Sequence, residues 1–124
     1  MPPSFSRSVL AVAAGYLFTA VLVRAMGGVL QLAVPAHEGA LVYWVSLAGG
    51  FVFAFAGGHT CARLARRAEL LHAAVLAGIF ATLGAALLAN APSGARPYAL
   101  GEVAAGVLGV LAGGYVRARA AATQ

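Results

Sequence analysis

Residues 40–62 have the sequence ALVYWVSLAGGFVFAFAGGHTCA, which contains no Asp, Glu, Lys or Arg. At about 1.5 Å per residue, a helix of this length covers the roughly 30 Å hydrocarbon core of a bilayer. The run lacks the alternation of apolar and polar residues seen in membrane β-strands, and it is about twice too long for one. We therefore predict a membrane-spanning α-helix at residues 40–62.

Three further apolar runs surround this one, at residues 9–34, 70–89 and 98–116. The connections between the four runs are short, and short connections force antiparallel neighbours. The sequence predicts an all-α fold, an integral membrane four-helix up-down bundle that forms a single transmembrane domain over residues 1–124. We expect the first run to be retained as structure and not cleaved as a signal peptide.

Composition agrees with lipid as the solvent. The chain is 62% hydrophobic and 9% charged, against roughly 25% charged residues in soluble domains. Its net charge of +5 comes from arginines at the ends of the apolar runs, a placement that argues against nucleic-acid binding. The chain contains Arg but no Lys, and it contains many Ala and Gly residues. This composition is typical of proteins encoded by GC-rich genes. We therefore expect a bacterial protein of the inner (cytoplasmic) membrane.

Arginine positions predict the orientation. Six arginines fall on one side of the predicted bundle and one falls in a loop on the other side. Cytoplasmic loops of membrane proteins carry an excess of Lys and Arg, so both termini are predicted to be cytoplasmic. The six residues on the predicted cytoplasmic side are Arg7, Arg63, Arg66, Arg67, Arg117 and Arg119.

Two pairs of segments resemble each other within the chain. Residues 56–63, AGGHTCAR, match residues 112–119, AGGYVRAR. A weaker match joins residues 12–15 and Thr19 to residues 75–78 and Thr82. The pattern indicates two parallel copies of a two-helix hairpin. Chance similarity between Gly/Ala-rich helices is the alternative.

Small residues recur every four positions along all four runs. Lipid supplies no hydrophobic drive for helix association, and small residues let two helix backbones approach closely. We expect these rows to pack the bundle, and the same rows could also form a homo-oligomer interface. The glycines assigned to helix packing are Gly15, Gly50, Gly58, Gly78, Gly109 and Gly113.

Arg24 is the charged residue that stands deepest in an apolar run. A charge at membrane depth costs at least about 2.5 kcal/mol, so such residues are usually paired or functional. Glu102 is expected at a similar depth below the same membrane boundary. We predict a buried ion pair between Arg24 and Glu102. Two alternatives remain open, snorkelling of Arg24 to the headgroups and a role in transport or ligand binding.

Motifs for catalysis are lacking: the sequence contains no Ser/His/Asp set, HExxH, P-loop or paired carboxylates. His59 and Cys61 are two residues apart on a helix and diverge, so we expect neither a metal site nor a cofactor with them and His72. Arginines of residues 63–67 could attract anionic lipid, although the positive-inside orientation already accounts for them.

Residues 57–65, GGHTCARLA, followed by Leu70-Leu71-His72, resemble small, uncharacterised four-helix bacterial integral membrane proteins with GGYxAARLA-like helix ends. This resemblance covers most of the chain from Ala48 onward and implies the fold without an activity. The leading expectation is a non-enzymatic structural or accessory membrane protein that has the lipid bilayer, a second copy or another membrane protein as partner. The alternative is a small-solute or anion channel or transporter that acts as a homo-oligomer, with Arg24 lining the path.

Overall fold

The structure is a computed structural model that describes residues 3–35 and 39–123. Every regular element in these ranges is an α-helix, as expected. By length and composition, each of the four helices can cross a membrane. The helices are α1 (Pro3–Ala33), α2 (Gly39–Ala65), α3 (Glu69–Asn90) and α4 (Arg96–Ala122).

The helices extend beyond the predicted apolar runs. Helix α1 begins at Pro3 and not at Val9, and α4 ends at Ala122 and not at Val116. Hydropathy marks only the apolar part of a helix. In α4 the added residues 117–122 are Arg and Ala, whose helix propensity is high. In α1 the added segment begins with Pro3, and proline suits the first position of a helix. Helix α3 ends within one residue of the prediction because a Pro/Gly/Ser turn follows it.

Helices α2 and α4 make the most extensive contact, α1 packs mainly on α2, and α3 packs mainly on α4. Among the described residues, α1 and α4 make no contact. Helix α2 runs parallel to α4, since Ala54 approaches Gly109 and, further along both helices, Phe55 approaches Gly113. The weak contact between α1 and α3 leaves an apolar groove of about 460 Å³ between them.

The core lies in one half of the bundle. We call the end where α1 begins and α2 ends the arginine end, and the opposite end, near Tyr43, Trp44 and Tyr98, the aromatic end. Every buried side chain of the described core lies in the half next to the arginine end or near the middle of a helix. Its largest fully buried side chains are Thr19, Cys61, Leu76 and Val110.

Candidate functional site

Four of the six glycines assigned to packing lie where two helices touch. A Cβ at Gly58 would overlap the backbone carbonyl of Val110, and a Cβ at Gly113 would overlap that of Phe55. Backbone atoms cannot move aside as the end of a side chain can, so these two positions require glycine for the α2–α4 contact. Gly15 and Gly109 are also packed against neighbouring helices.

Gly50 and Gly78 do not pack against another helix of the chain. A Cβ at either position would meet no atom within 4 Å. Gly50 lies in the aromatic half of α2, where the core is missing, and Gly78 lies on the face of α3 that points away from the bundle. The whole four-residue row of α3 shares this exposure: Ala74, Gly78, Thr82 and Ala86.

Thr19 and Thr82, matched in the predicted repeat, occupy different environments. The Thr19 side chain is 1% exposed, and its hydroxyl donates to the carbonyl of Gly15 at 2.9 Å and approaches that of Phe53 at 3.4 Å. The Thr82 hydroxyl donates to the carbonyl of Gly78 at 2.8 Å on the exposed row. The sequence match therefore does not place these residues in equivalent contacts.

The structure does not bring Arg24 and Glu102 together. Arg24 follows Gly15 by nine residues, about two and a half helical turns, so it lies on the face of α1 opposite the one that packs on α2. Glu102 lies two turns before Gly109, on the face of α4 that packs on α2. Both residues are exposed. A shared depth did not bring them together because α1 and α4 are not neighbours in the bundle.

A charged pocket of about 500 Å³ lies at the arginine end, between the ends of all four helices. Four arginines and one carboxylate line it: Arg7 from α1, Arg63 and Arg66 from the end of α2 and the turn after it, Glu69 from α3, and Arg117 from α4. We call this cavity the arginine pocket. The positions of its arginines in the sequence predict one common side of a membrane, but they do not predict that these particular arginines converge.

Glu69 and Arg117 form an ion pair in the arginine pocket, with Oε1 of Glu69 3.4 Å from Nη2 of Arg117. The side chains are 10% and 25% exposed, respectively. Two buried atoms of the pair, Oε2 of Glu69 and Nε of Arg117, have no hydrogen-bond partner among the described residues. This pair was missed in the sequence, where the available signal was the acidic residue Glu69 among arginines of the same end.

The turn between α2 and α3 has an unusual backbone. Arg66 and Ala68 adopt left-handed conformations with φ of 57° and 50°, which cost about 1 kcal/mol or more for residues other than glycine. Near this turn, the side chain of Arg7 donates from Nε to the carbonyl of Leu64 at 3.3 Å, so α1 and α2 are joined at the pocket rim.

His59, Cys61 and His72 belong to no cluster of metal-ligating side chains within the described ranges. Cys61 is fully buried against Gly15. His72 donates from Nδ1 to the carbonyl of Ala68 at 2.9 Å, in the first turn of its own helix. His59 contributes its backbone to the contact with Gly113.

Comparison of the chain with models of protein families, with curated proteins and with solved structures found no match. The described residues form two features that are candidates for binding a partner or a ligand. One is the exposed small-residue row of α3, and the other is the arginine pocket.

Proposed function

We propose that this chain is a non-enzymatic integral membrane protein with a structural or accessory role, which packs against a transmembrane helix of a second copy or of another membrane protein. Four helices long and apolar enough to cross a bilayer support the membrane assignment. Large apolar side chains are exposed on all four helices, as lipid contact requires, among them Leu10, Trp44, Leu87 and Leu108.

The proposed orientation has both termini in the cytoplasm of a bacterium and the arginine end at the cytoplasmic face of the inner membrane. Its support is the positive-inside rule, applied to six arginines at one end against Arg96 at the other. Tyr43 and Tyr98 contact each other edge to face with ring centroids 5.0 Å apart, at the aromatic end. Aromatic residues are enriched at membrane interfaces, which suits this placement.

The exposed row of α3 is the observation that carries the accessory role. Its members are small, and the Thr82 hydroxyl is already bonded within the helix, so the surface is smooth and without free donors. Interfaces between transmembrane helices are enriched in such small residues because they allow close backbone contact. The bundle leaves this row uncovered although it uses similar rows on α2 and α4 for its own packing.

A duplicated origin of α2 and α4 is part of the proposal. These helices run parallel, and contacts at or beside the two matched segments, Phe55 with Gly113 and Gly58 with Val110, join residues within a few positions of equivalence. Parallel repeats related by an axis along the membrane normal would have this register. Because Thr19 and Thr82 lie in different environments, the support for a duplication is limited to α2 and α4 and does not extend to α1 and α3.

The channel or transporter alternative has less support. Arg24 lies on the face of α1 opposite the α2 contact, so it lines no path through a single bundle. The middle of the bundle is filled by fully buried side chains of three different helices, Thr19, Leu76 and Val110. A conduction path would have to form between copies.

The test compares complex size in a mild detergent for the wild type, Gly78→Leu and Gly28→Leu. Both glycines are open in the bundle, so both variants should fold. Only Gly78→Leu alters the α3 row, and we expect it to reduce the complex to the 12.4 kDa chain while Gly28→Leu leaves the complex intact. Unchanged association in Gly78→Leu, or anion flux from liposomes that is lost in Arg24→Ala, would contradict the proposal.

A further inference from the structure

The arginine pocket holds more positive charge than its own carboxylate neutralises. Four guanidinium groups and one carboxylate line the cavity, so three positive charges are in excess. Like charges held near one another at the surface repel unless a counter-ion lies between them. Dissolved salt screens part of this repulsion. An anion bound inside the cavity reduces the repulsion further, because it lies closer to each arginine than the ions in solution do.

The convergence is selective. Arg67 and Arg119 belong to the same end of the bundle, yet neither lines the pocket. Arg119 instead lies over the ring of Tyr115, at 5.9 Å from the ring centroid. The positive-inside rule accounts for the number of arginines at this end but does not require four of them, from different helices and a turn, to share one cavity.

Several hydrogen-bond donors in the pocket are uncommitted. Nε of Arg117 is buried without a partner among the described residues. Arg63 and Arg66 have no hydrogen bond or ion pair with any residue in the ranges 3–35 and 39–123. A guanidinium group is a planar fork of N–H donors that fits the oxygens of a phosphate in a bidentate manner.

The carboxylate of Glu69 limits what fits. It repels an anion, but Arg117 neutralises it through the 3.4 Å contact. Its Oε2 atom is buried and has no hydrogen-bond partner among the described residues, so a ligand with a hydroxyl group beside its phosphate would satisfy Oε2 once the Glu69 side chain turns toward the cavity. A glycerol phosphate group has both functions.

We infer that the arginine pocket binds a phosphate group, held by Arg63, Arg66 and Arg117. In a membrane the abundant source is the headgroup of an anionic phospholipid, because basic pockets between transmembrane helices bind such headgroups. Inorganic phosphate offers the same chemistry without the lipid chains. The inference does not depend on the α3 row or on any partner protein.

The experiment measures binding to the full chain, delipidated in a nonionic detergent, by native mass spectrometry and by thermal stabilisation. The probes are phosphatidylglycerol, phosphatidylcholine and inorganic phosphate. The variants are Arg66→Gln and Arg67→Gln, neighbours in one exposed turn of which only the first lines the pocket. Arg63→Gln is a second pocket variant, needed if Arg66→Gln fails to fold by circular dichroism.

Phosphatidylglycerol is expected to bind more tightly than phosphatidylcholine. Loss of one charged hydrogen-bond donor should weaken this binding about tenfold in Arg66→Gln, and Arg67→Gln should stay within about twofold of the wild type. If inorganic phosphate does not displace bound phosphatidylglycerol, the ligand of the pocket is the lipid headgroup. If it does displace the lipid, the free anion is also a ligand of the pocket. Equal effects of Arg66→Gln and Arg67→Gln, or no binding of either phosphate probe, would overturn the inference.

Discussion

The two halves of the bundle are built from the same four helices, yet the fully buried side chains lie in the arginine half or near the middle of a helix. There Gly58, Gly109 and Gly113 bring α2 and α4 into backbone contact, and buried side chains fill the space between helices. In the aromatic half, Gly50 meets nothing and Trp44 is 63% exposed. For helices that cross a bilayer, as we propose for this chain, small residues and not hydrophobicity decide where helices meet.

The difference has a steric origin. Two helices pack 8–10 Å apart at a distance set by the side chains between them. Glycines on α2 and α4 remove those side chains in the arginine half. The aromatic half has larger residues at the contact, such as Tyr43 beside Gly101 and Met26 beside Gly49. We therefore expect substitutions to have large effects in the arginine half and small ones at the matched positions of the aromatic half.

The largest difference is expected between Gly58→Ala and Gly50→Ala, two glycines of one helix. The added Cβ at position 58 meets backbone, so α2 and α4 must separate, at a cost of about 2–3 kcal/mol or loss of the fold. At position 50 the methyl group enters open space, and the change should lie within about 1 kcal/mol, on the stabilising side. Thermal unfolding in detergent measures both. Equal destabilisation by the two variants would show that the halves are packed alike.

Glu69→Gln and Glu102→Gln compare the carboxylates of the two halves. Glu69 is paired with Arg117 and mostly buried, whereas Glu102 is exposed. Removing one partner of a fully buried pair costs 3–5 kcal/mol; the partial exposure of Arg117 lowers the expected loss to about 1–2 kcal/mol. The loss for Glu102→Gln should be below about 0.5 kcal/mol. A larger decrease in the free energy of unfolding for Glu102→Gln than for Glu69→Gln would contradict a stabilising role for the Glu69–Arg117 pair.

Thr19→Val and Thr82→Val remove a hydroxyl while keeping the shape of the side chain. Thr19 is buried between α1 and α2, and the loss of its hydrogen bond should cost about 1 kcal/mol. Thr82 faces outward, so its substitution should change the unfolding free energy by no more than about 0.3 kcal/mol. Chemical unfolding of both variants under one detergent condition gives the comparison. A larger cost for Thr82→Val would indicate that the α3 row is covered within the single chain.

Arg24→Gln should have the smallest effect on folding. Its side chain lies on the outside of α1 and has no ion-pair or hydrogen-bond partner in the described ranges. An exposed arginine without such a partner contributes little to the packing of the bundle. We expect the melting temperature to match the wild type, with Arg96→Gln as a control at the aromatic end. A loss above about 1 kcal/mol would reveal a partner for Arg24.

Helix number and the approximate span of each helix followed from the sequence because apolar runs of membrane length are a strong signal. The choice of packing glycines was less complete. The spacing of small residues locates Gly15, Gly58, Gly109 and Gly113 correctly, but it does not distinguish a row facing a neighbour from the outward row with Gly78. That distinction depends on how the four helices are arranged around the bundle axis, which periodicity within one helix does not contain.

Charged residues show the same limit. The depth of Arg24 and Glu102 can be counted from the ends of the apolar runs, but their separation depends on α1 and α4 not being neighbours. Glu69 and Arg117 are 3.4 Å apart because α3 and α4 pack closely at the arginine end. Opposite charges at one end of a bundle were the only sequence signal for this pair.

We propose above all that these helices cross a membrane with the arginine end in the cytoplasm. The most direct measurement is labelling of one introduced cysteine at a time, in intact bacterial spheroplasts, by a membrane-impermeant maleimide. Wild-type Cys61 is buried and gives the background. We predict that Ser93→Cys is labelled in intact spheroplasts, and that Ala68→Cys is labelled only after the membrane is permeabilised. Labelling of Ala68→Cys without permeabilisation, with Ser93→Cys protected, would contradict the orientation.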